Sequence, residues 1–145
     1  MTGDDFVILA GRLFAGSPHP SEALLRTVIG RAYYGAFHIC SDYFQQLELT
    51  VPADHGEVWK RLSESGHPIA ILVGRRVQSL HRARVAADYR LDAKQPARGD
   101  FAKAQIELAI EVQSLVAQCR EKVVASAIRT GIHAYLQRIG AASNE

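Results

Sequence analysis

Apolar residues recur at helical spacing along almost the whole chain, and no stretch alternates between apolar and polar residues as a β-strand does. Turn-forming residues interrupt this pattern at 17–20, 50–55, 66–68 and 92–99. Most connections between the helical segments are therefore short, which favours helices that pack against their neighbours in the chain. The sequence predicts an all-α, up-and-down bundle of about five helices, which forms a single domain over residues 1–145.

Candidate caps support the boundaries of these helices. Asp4 or Asp5 can cap the first helix and Ser21 the second. Pro68 can occupy the first turn of the fourth helix, and Asp100 can cap the last. The expected helices cover about residues 4–15, 22–47, 56–65, 68–90 and 101–139. The last of them has a candidate break near Thr130–Gly131, and the tail, residues 141–145, is expected to fray.

Composition limits the classes of function. Apolar residues make up 48% of the chain and charged residues 22%, which is ordinary for a globular protein and argues against disorder. The net charge of +2 permits an acidic partner such as RNA without requiring one. Cys40 and Cys119 lie in apolar helical patterns, so we expect buried thiols in a reducing compartment. No CxxC or HExxH motif occurs, and we expect neither a metal site nor a cofactor.

The N-terminal segment carries two aspartates before a short apolar stretch, where a secretory signal would carry positive charge. We therefore expect no secretory signal. The chain also contains no run of about eighteen apolar residues, so we expect no membrane-spanning helix. Together these features predict a cytoplasmic protein.

The second predicted helix is apolar around most of its circumference and keeps one narrow polar stripe. Its broad apolar face comprises Leu24, Leu25, Val28, Ala32, Gly35, Ala36, Ile39 and Tyr43, and the stripe comprises Thr27, Arg31, Tyr34, His38, Ser41 and Gln45. A helix of this kind is largely buried. Arg31 and His38 lie two turns apart, roughly 10 Å along the axis, with Tyr34 between them. The stripe is either a polar network that fixes helix packing or a site where Arg31 holds a phosphate and His38 moves a proton.

The fourth predicted helix is the most basic part of the chain. It carries Arg75, Arg76, Arg82, Arg84 and Arg90 against one carboxylate, Asp88. Arg84 and Asp88 have the spacing of a helical ion pair, His81 shares their face, and Tyr89 follows at the end of the helix. Such a helix is either a solvated face or an electrostatic contact surface for the phosphates of a nucleic acid.

Three motifs in these segments resemble one branch of the HEPN family. Residues 31–38, RAYYGAFH, resemble the branch's RAYYAAFH signature. His55-Gly56 resembles the start of its next helix, and Arg84-Val-Ala-Ala-Asp88-Tyr89 resembles its R-x-x-x-D-Y motif. The three motifs occur in the family's order over about residues 20–90. The resemblance implies a small helical bundle that usually forms a homodimer. Many HEPN proteins are metal-independent endoribonucleases that act as toxins or defence effectors, often beside a nucleotidyltransferase antitoxin.

The sequence departs from the catalytic pattern that the resemblance implies. That pattern is an Arg followed after four to six residues by a His, but here Tyr89 follows Arg84. A phenol is a poor general base near neutral pH because it holds its proton tightly. Arg31 and His38 have the required spacing, although they lie in the earlier helix. His38 and His81 both remain candidates for the missing imidazole.

Three hypotheses follow for the function. The first is an RNA-directed effector, with Arg84 and Arg31 on the phosphate and His38 or His81 as the acid or base. Asp88 and Tyr89 would then orient the arginine or the substrate, and the remaining candidate substrate contacts are Tyr34 and Arg82. The second is a non-catalytic HEPN module that binds RNA, a nucleotide or a partner protein, for example in a larger defence complex. The third is a structural dimerisation domain in which both polar stripes are hydrogen-bond networks. In some HEPN proteins the partner nucleotidyltransferase modifies a tyrosine near the motif, and Tyr89 is the candidate here.

Overall fold

All of the regular secondary structure in the part of the chain that is described is helical. The computed structural model describes residues 1–143, and its account of side chains ends at Gly140. The α-helices are α1 Gly3–Ala15, α2 Glu22–Gln46, α3 His55–Ser63, α4 Pro68–Tyr89, α5 Gly99–Cys119 and α6 Lys122–Ser143, with a 3-10 turn at Gln95–Ala97. No strand occurs within residues 1–143. The all-α prediction is confirmed, with six α-helices rather than about five.

The extra helix arises because the predicted last helix is two helices. It breaks between Cys119 and Lys122, whereas Gly131, near the expected break, lies inside α6. The Glu121 carboxylate accepts hydrogen bonds from the backbone nitrogens of Val123 (3.1 Å) and Val124 (3.0 Å). These bonds satisfy two of the unpaired donors at the start of α6, so a new helix can begin there. The expected frayed tail, 141–145, falls outside the described side chains.

Two of the predicted helix starts are confirmed. The hydroxyl oxygen of Ser21 accepts a hydrogen bond from the Leu24 nitrogen (3.1 Å), and Pro68 is the first residue of α4. A side-chain acceptor at the residue before the helix replaces a partner that the first turn lacks, and proline suits the first turn because it has no N–H to satisfy.

The caps predicted for the first and last helices are wrong by two or more residues. Thr2 precedes α1, and the Asp5 carboxylate reaches back to the Thr2 nitrogen at 2.6 Å. Arg98 precedes α5, while Asp100 lies inside it and accepts from the Phe101 nitrogen at 2.9 Å. In both cases an acidic residue of the first turn satisfies a free backbone donor without being the cap itself.

α2 is the central helix and packs against α1, α3, α4 and α5. Its predicted apolar face is buried apart from the half-buried Leu24, and the largest enclosed side chains of the core include Tyr33, Tyr43 and Phe44 from this helix. The Tyr43 hydroxyl donates to the Cys119 carbonyl oxygen (2.8 Å), which ties the end of α2 to the end of α5. Cys40 and Cys119 are buried free thiols, as expected, and burial raises the pKa of Cys40 to about 12.

α1 crosses α2 at a contact made by two glycines. A Cβ atom on Gly35 would lie 2.5 Å from the Val7 side chain, and one on Gly3 would lie 2.6 Å from the Gly35 carbonyl oxygen. Only glycine permits so close an approach of two helices. The crossing brings the next residues of α1, and Phe6 in particular, against the polar stripe of α2.

Within residues 1–143, no helix combines the length and the apolar character needed to cross a bilayer.

Candidate functional site

A layer of aromatic rings and imidazoles joins α2, α3 and α4. This inner layer comprises Tyr33, Phe37, His55, Trp59 and His81. The Tyr33 side chain is fully buried, and its hydroxyl lies 2.8 Å from His55 Nδ1. The Phe37 and His55 rings stack with centroids 4.1 Å apart, and the Trp59 and His81 rings lie 4.7 Å apart. Since each of these contacts joins two helices, the inner layer fixes how the three helices pack.

The inner layer also controls protonation. Burial lowers the pKa of His81, and the electrostatic effects of the neighbouring Arg84 and His55 lower it further. His81 is therefore a neutral imidazole near neutral pH. Burial raises the pKa of Tyr33 well above its usual range, so that its hydroxyl keeps its proton beside His55.

Above the inner layer, rings and guanidinium groups alternate in a row that runs from α1 to the end of α4. The outer row comprises Phe6, Arg31, Tyr34, Arg84 and Tyr89. The Arg31 guanidinium carbon lies 5.5 Å from the Phe6 ring centre and 5.6 Å from the Tyr34 ring centre. The Arg84 guanidinium carbon lies 5.3 Å from Tyr34 and 5.4 Å from Tyr89. Each distance is within the range of a cation–π contact, and Tyr34 takes part in two of them.

His38 lies beside the outer row. Its ring stacks on Phe6 with centroids 5.3 Å apart and planes 22° apart, and it lies 6.3 Å from the Tyr34 ring. Arg31 contacts the same two rings. The predicted grouping of Arg31, Tyr34 and His38 on one side of α2 is therefore what the structure shows. His38 and Arg84 both contact the Tyr34 ring.

The two arginines of the row differ in how far their charge is balanced. Arg84 Nε lies 2.9 Å from an Asp88 carboxylate oxygen, but it makes no aligned hydrogen bond, and the Arg84 side chain is only 16% exposed. Burial lowers the pKa of Arg84, but Tyr34, Asp88 and Tyr89 outweigh it and raise the pKa, so the group stays charged. Arg31 has no carboxylate within ion-pair distance among the described side chains. Arg31 is therefore the cation of the row whose charge is not balanced.

Arg26, which sequence reasoning missed, holds the end of α4 in place. This buried guanidinium donates to five backbone carbonyl oxygens, those of Ala86 (3.1 Å), Ala87 (2.8 Å), Arg90 (3.2 Å), Leu91 (3.1 Å) and Ala93 (3.0 Å). The Ala86 and Arg90 carbonyls also accept from the backbone nitrogens of Arg90 (3.1 Å) and Ala93 (3.0 Å), so Arg26 chiefly supplies donors to Ala87, in the last turn of α4, and to Leu91 and Ala93 beyond it. Since Arg84, Asp88 and Tyr89 lie in the last two turns of α4, Arg26 positions the α4 half of the site. Its sequence signal was a charged residue on the same side of α2 as the buried Ile29 and Tyr33.

Other predicted residues lie away from the row. Arg82 is exposed on another side of α4, where it lines a pocket of about 310 Å³ between α4, α5 and the 3-10 turn. The remaining polar residues of the α2 stripe do not take part either. The Thr27 hydroxyl donates to the Ala23 carbonyl, the Ser41 hydroxyl donates to the Phe37 carbonyl, and Gln45 is exposed. Within residues 1–143, no three His, Cys, Asp or Glu side chains converge in a way that could hold a metal ion.

The three HEPN-like motifs come together in this region. Residues 31–38 supply α2 of the outer row, His55-Gly56 begins α3 in the inner layer, and residues 84–89 end α4. Phe6, from outside all three motifs, completes the row on the α1 side. In comparisons with known proteins, no family model, no curated protein and no solved structure matches the chain.

Proposed function

We propose that the outer row binds single-stranded RNA. The observation that carries the proposal is the alternation of ring and cation in the order Phe6, Arg31, Tyr34, Arg84 and Tyr89. A single-stranded nucleic acid presents flat bases and charged phosphates along its length. An alternating series of aromatic rings and guanidinium groups can therefore stack on the bases and bind the phosphates. Tyr89, which is 70% exposed, offers the row's most accessible ring.

The charge of Arg31 supports an anionic ligand. A guanidinium group that has no carboxylate partner can bind a phosphate without first breaking an ion pair. Arg84 would contribute less, because Asp88 already balances part of its charge. The resemblance to HEPN proteins independently favours RNA as the ligand. It also favours a homodimer, and a nucleotidyltransferase or a larger defence complex as the partner protein.

The test compares RNA binding by the purified protein with binding by Arg31→Gln over a series of salt concentrations. The control is Arg75→Gln, because Arg75 is exposed on α4 and lies outside the row. Affinity falls as the salt concentration rises, and the loss of one phosphate contact should make the plot of log affinity against log salt shallower by about 0.7 for single-stranded RNA. The control variant should keep the wild-type slope. Equal slopes and affinities for Arg31→Gln and Arg75→Gln would contradict the proposal.

Metal-independent RNA cleavage is a second candidate function, and the placement of His38 favours it. Of the imidazoles near the row, His81 packs against Trp59 and is held neutral, and His55 lies against Tyr33. His38 is half-buried beside Arg31 and is the better placed to act as an acid or base. It would take the proton of a ribose 2′-hydroxyl as that oxygen attacks the adjacent phosphorus. The P–O5′ bond then breaks and the 5′-oxygen takes a proton from water, while Arg31 stabilises the charge on the phosphate.

Cleavage is measured on total RNA and tRNA in the presence of a metal chelator. In His38→Gln the rate should fall about 10²–10⁴-fold, the contribution of a general acid or base, while RNA binding is retained. Arg84→Ala is measured beside it, because Arg84 is the motif's arginine. Equal cleavage by the wild type and His38→Gln would exclude His38 as the acid or base. If the RNA stays intact with every protein but binds in a salt-dependent way, the protein is a non-catalytic binding module and not a nuclease.

A further inference from the structure

Arg82 and Arg90 line a second concave surface, which lies on a different side of α4 from the outer row. The pocket has a volume of about 310 Å³ and lies between α4, α5 and the 3-10 turn. Its lining includes Ser79, Arg82, Arg90, Gln95, Phe101 and Gln105. Residues 79, 82, 83 and 86 follow the helical period and so share one face of α4, and Arg90 lies just beyond the end of the helix. Arg84 is turned about 200° around the axis from Arg82, which is why it belongs to the other surface.

The charges around this pocket favour an anion. Arg82 and Arg90 are exposed, and neither has a carboxylate within ion-pair distance among the described side chains. In the adjoining pocket, the carboxylate of Asp100 is already engaged by Arg98, with contacts of 3.1 and 2.7 Å. Two uncompensated guanidinium groups at one concave surface match the charge of a phosphate and offer it several N–H donors.

The α5 side of the pocket holds a polar group without a partner. Gln105 is 5% exposed, and its amide nitrogen donates to the Phe101 carbonyl oxygen at 3.4 Å. This contact fixes the orientation of the amide, because the reverse orientation would bring two oxygens together. The amide oxygen of Gln105 accepts no hydrogen bond. A buried acceptor without a donor is unfavourable, and a small rotation of the Gln105 side chain towards a ligand N–H group in the pocket would remove that cost.

An aromatic ring and a rigid backbone complete the pocket. The half-buried ring of Phe101 lines it and offers a surface for stacking. Arg26 donates to the Arg90 carbonyl oxygen at 3.2 Å, so the backbone that carries one of the two cations is fixed before any ligand arrives. Cations for a phosphate, a ring for a base and an acceptor for a base N–H are the features of a nucleotide site.

We propose that this pocket binds a nucleotide unit, with its phosphate between Arg82 and Arg90 and its base against Phe101. The phosphate belongs either to a free mononucleotide or to an RNA strand, and the two sources share this chemistry. The proposal does not depend on the outer row, since no residue of the pocket belongs to that row.

The experiment follows the side-chain amide signals of Gln95 and Gln105 by NMR while 5′-AMP, adenosine or a short oligouridine is added. We expect 5′-AMP to shift both signals and adenosine to do so only weakly. Arg82→Gln/Arg90→Gln should weaken the binding of 5′-AMP by at least about tenfold, as expected for lost charge-assisted hydrogen bonds. The control, Arg75→Gln/Arg138→Gln, removes the same charge from exposed positions outside the pocket. All four positions are exposed, so both variants should keep the dispersed spectrum of a folded protein.

The remaining outcomes separate the two sources. The phosphate would be identified as that of an RNA strand if oligouridine shifted the Gln95 and Gln105 signals and 5′-AMP did not. These shifts should then disappear in Arg82→Gln/Arg90→Gln. The absence of such shifts with both ligands would overturn the proposal, as would equal binding by the two double variants. Neither negative result would bear on the outer row, which is tested separately through Arg31→Gln.

Discussion

Replacement of Arg26 by methionine is expected to lower the free energy of unfolding by about 2–4 kcal/mol. The guanidinium group donates to five backbone carbonyl oxygens, and its side chain is 9% exposed. The two terminal nitrogens that make these contacts carry four hydrogens between them, so the five contacts count as about four hydrogen bonds, worth together about 2–6 kcal/mol at about 0.5–1.5 kcal/mol each. Residues 90 and 91 are exposed, so water can replace part of that loss, which favours the lower half of the range. Methionine retains most of the apolar stem, so the change mainly removes the donors.

The assay is urea unfolding followed by circular dichroism, with Glu22→Gln as the matched control. Glu22 pairs with Arg26 at 2.9 Å, but the Glu22 side chain is 54% exposed, so loss of this ion pair should cost less than about 1 kcal/mol. Arg26→Lys should fall between the two variants, because an ammonium group has three donors and cannot reproduce the fork of a guanidinium. Hydrogen exchange in Arg26→Met should accelerate first at residues 86–93, where the end of α4 loses its partner. A loss in Arg26→Met no larger than that in Glu22→Gln would refute the role given to the carbonyl contacts.

Three further predictions concern single positions. Glu48 has a positive φ of 57° just after α2, and the bonds Glu48 N to Gln45 O and Leu49 N to Phe44 O (both 2.9 Å) require that turn. Glu48→Gly should therefore raise stability by about 0.5–1 kcal/mol in urea unfolding, whereas Glu48→Ala should not. A Cβ atom on Gly131 would meet the Ser65 carbonyl oxygen, so Gly131→Ala should cost about 2–3 kcal/mol. Gly11→Ala, which meets nothing within 4 Å, should be neutral or stabilising, and equal melting temperatures for these two variants would contradict the reasoning. The pKa of His81 is lower in the folded protein than the value of about 6.5 expected in the unfolded chain. Above that unfolded value the neutral imidazole stabilises the fold, and this contribution to the free energy of unfolding is lost as the pH falls towards the folded pKa. As the pH is lowered through that window, the free energy of unfolding of the wild type should fall relative to that of His81→Phe. A difference between the two proteins that does not change with pH would exclude this effect of His81.

The helical period predicted most of the fold because four of the five breaks carry proline or glycine. The break at residues 120–121 carries neither and depends on the side chain of Glu121, which folds back onto two backbone nitrogens. A glutamate within a helical pattern is normally interpreted as an exposed residue of the helix, so the spacing of apolar residues alone could not reveal this break. The predicted break at Thr130–Gly131 is wrong for a related reason. Gly131 allows a close approach of α6 to the backbone of Ser65, which is 66 positions earlier in the chain, and does not end a helix.

In the candidate site, the residues that sequence reasoning grouped correctly are those on one helix. Arg31, Tyr34 and His38 follow the period of α2, and Arg84 and Asp88 that of α4. Phe6 was missed, because its contact with Arg31 depends on how α1 crosses α2. Arg26 was missed because its partners lie 60 to 67 positions away. The separation of Arg82 from Arg84 was available from the sequence, since residues two apart on a helix point to nearly opposite sides.

The close crossing of α1 and α2 makes one half of the outer row a product of the first 46 residues of the chain. Gly3 and Gly35 allow the two helices to pair as a hairpin, and this pair already brings Phe6, Arg31 and His38 together. The other half waits for Arg84 and Tyr89, at the end of α4. During synthesis from the N-terminus, the first half of the row can therefore form well before Arg84 has emerged from the ribosome. Residues 26 and 93 must both have left the ribosome before the α4 half can be fixed in place, so a nascent chain acquires its complete outer row only after residue 93 has emerged.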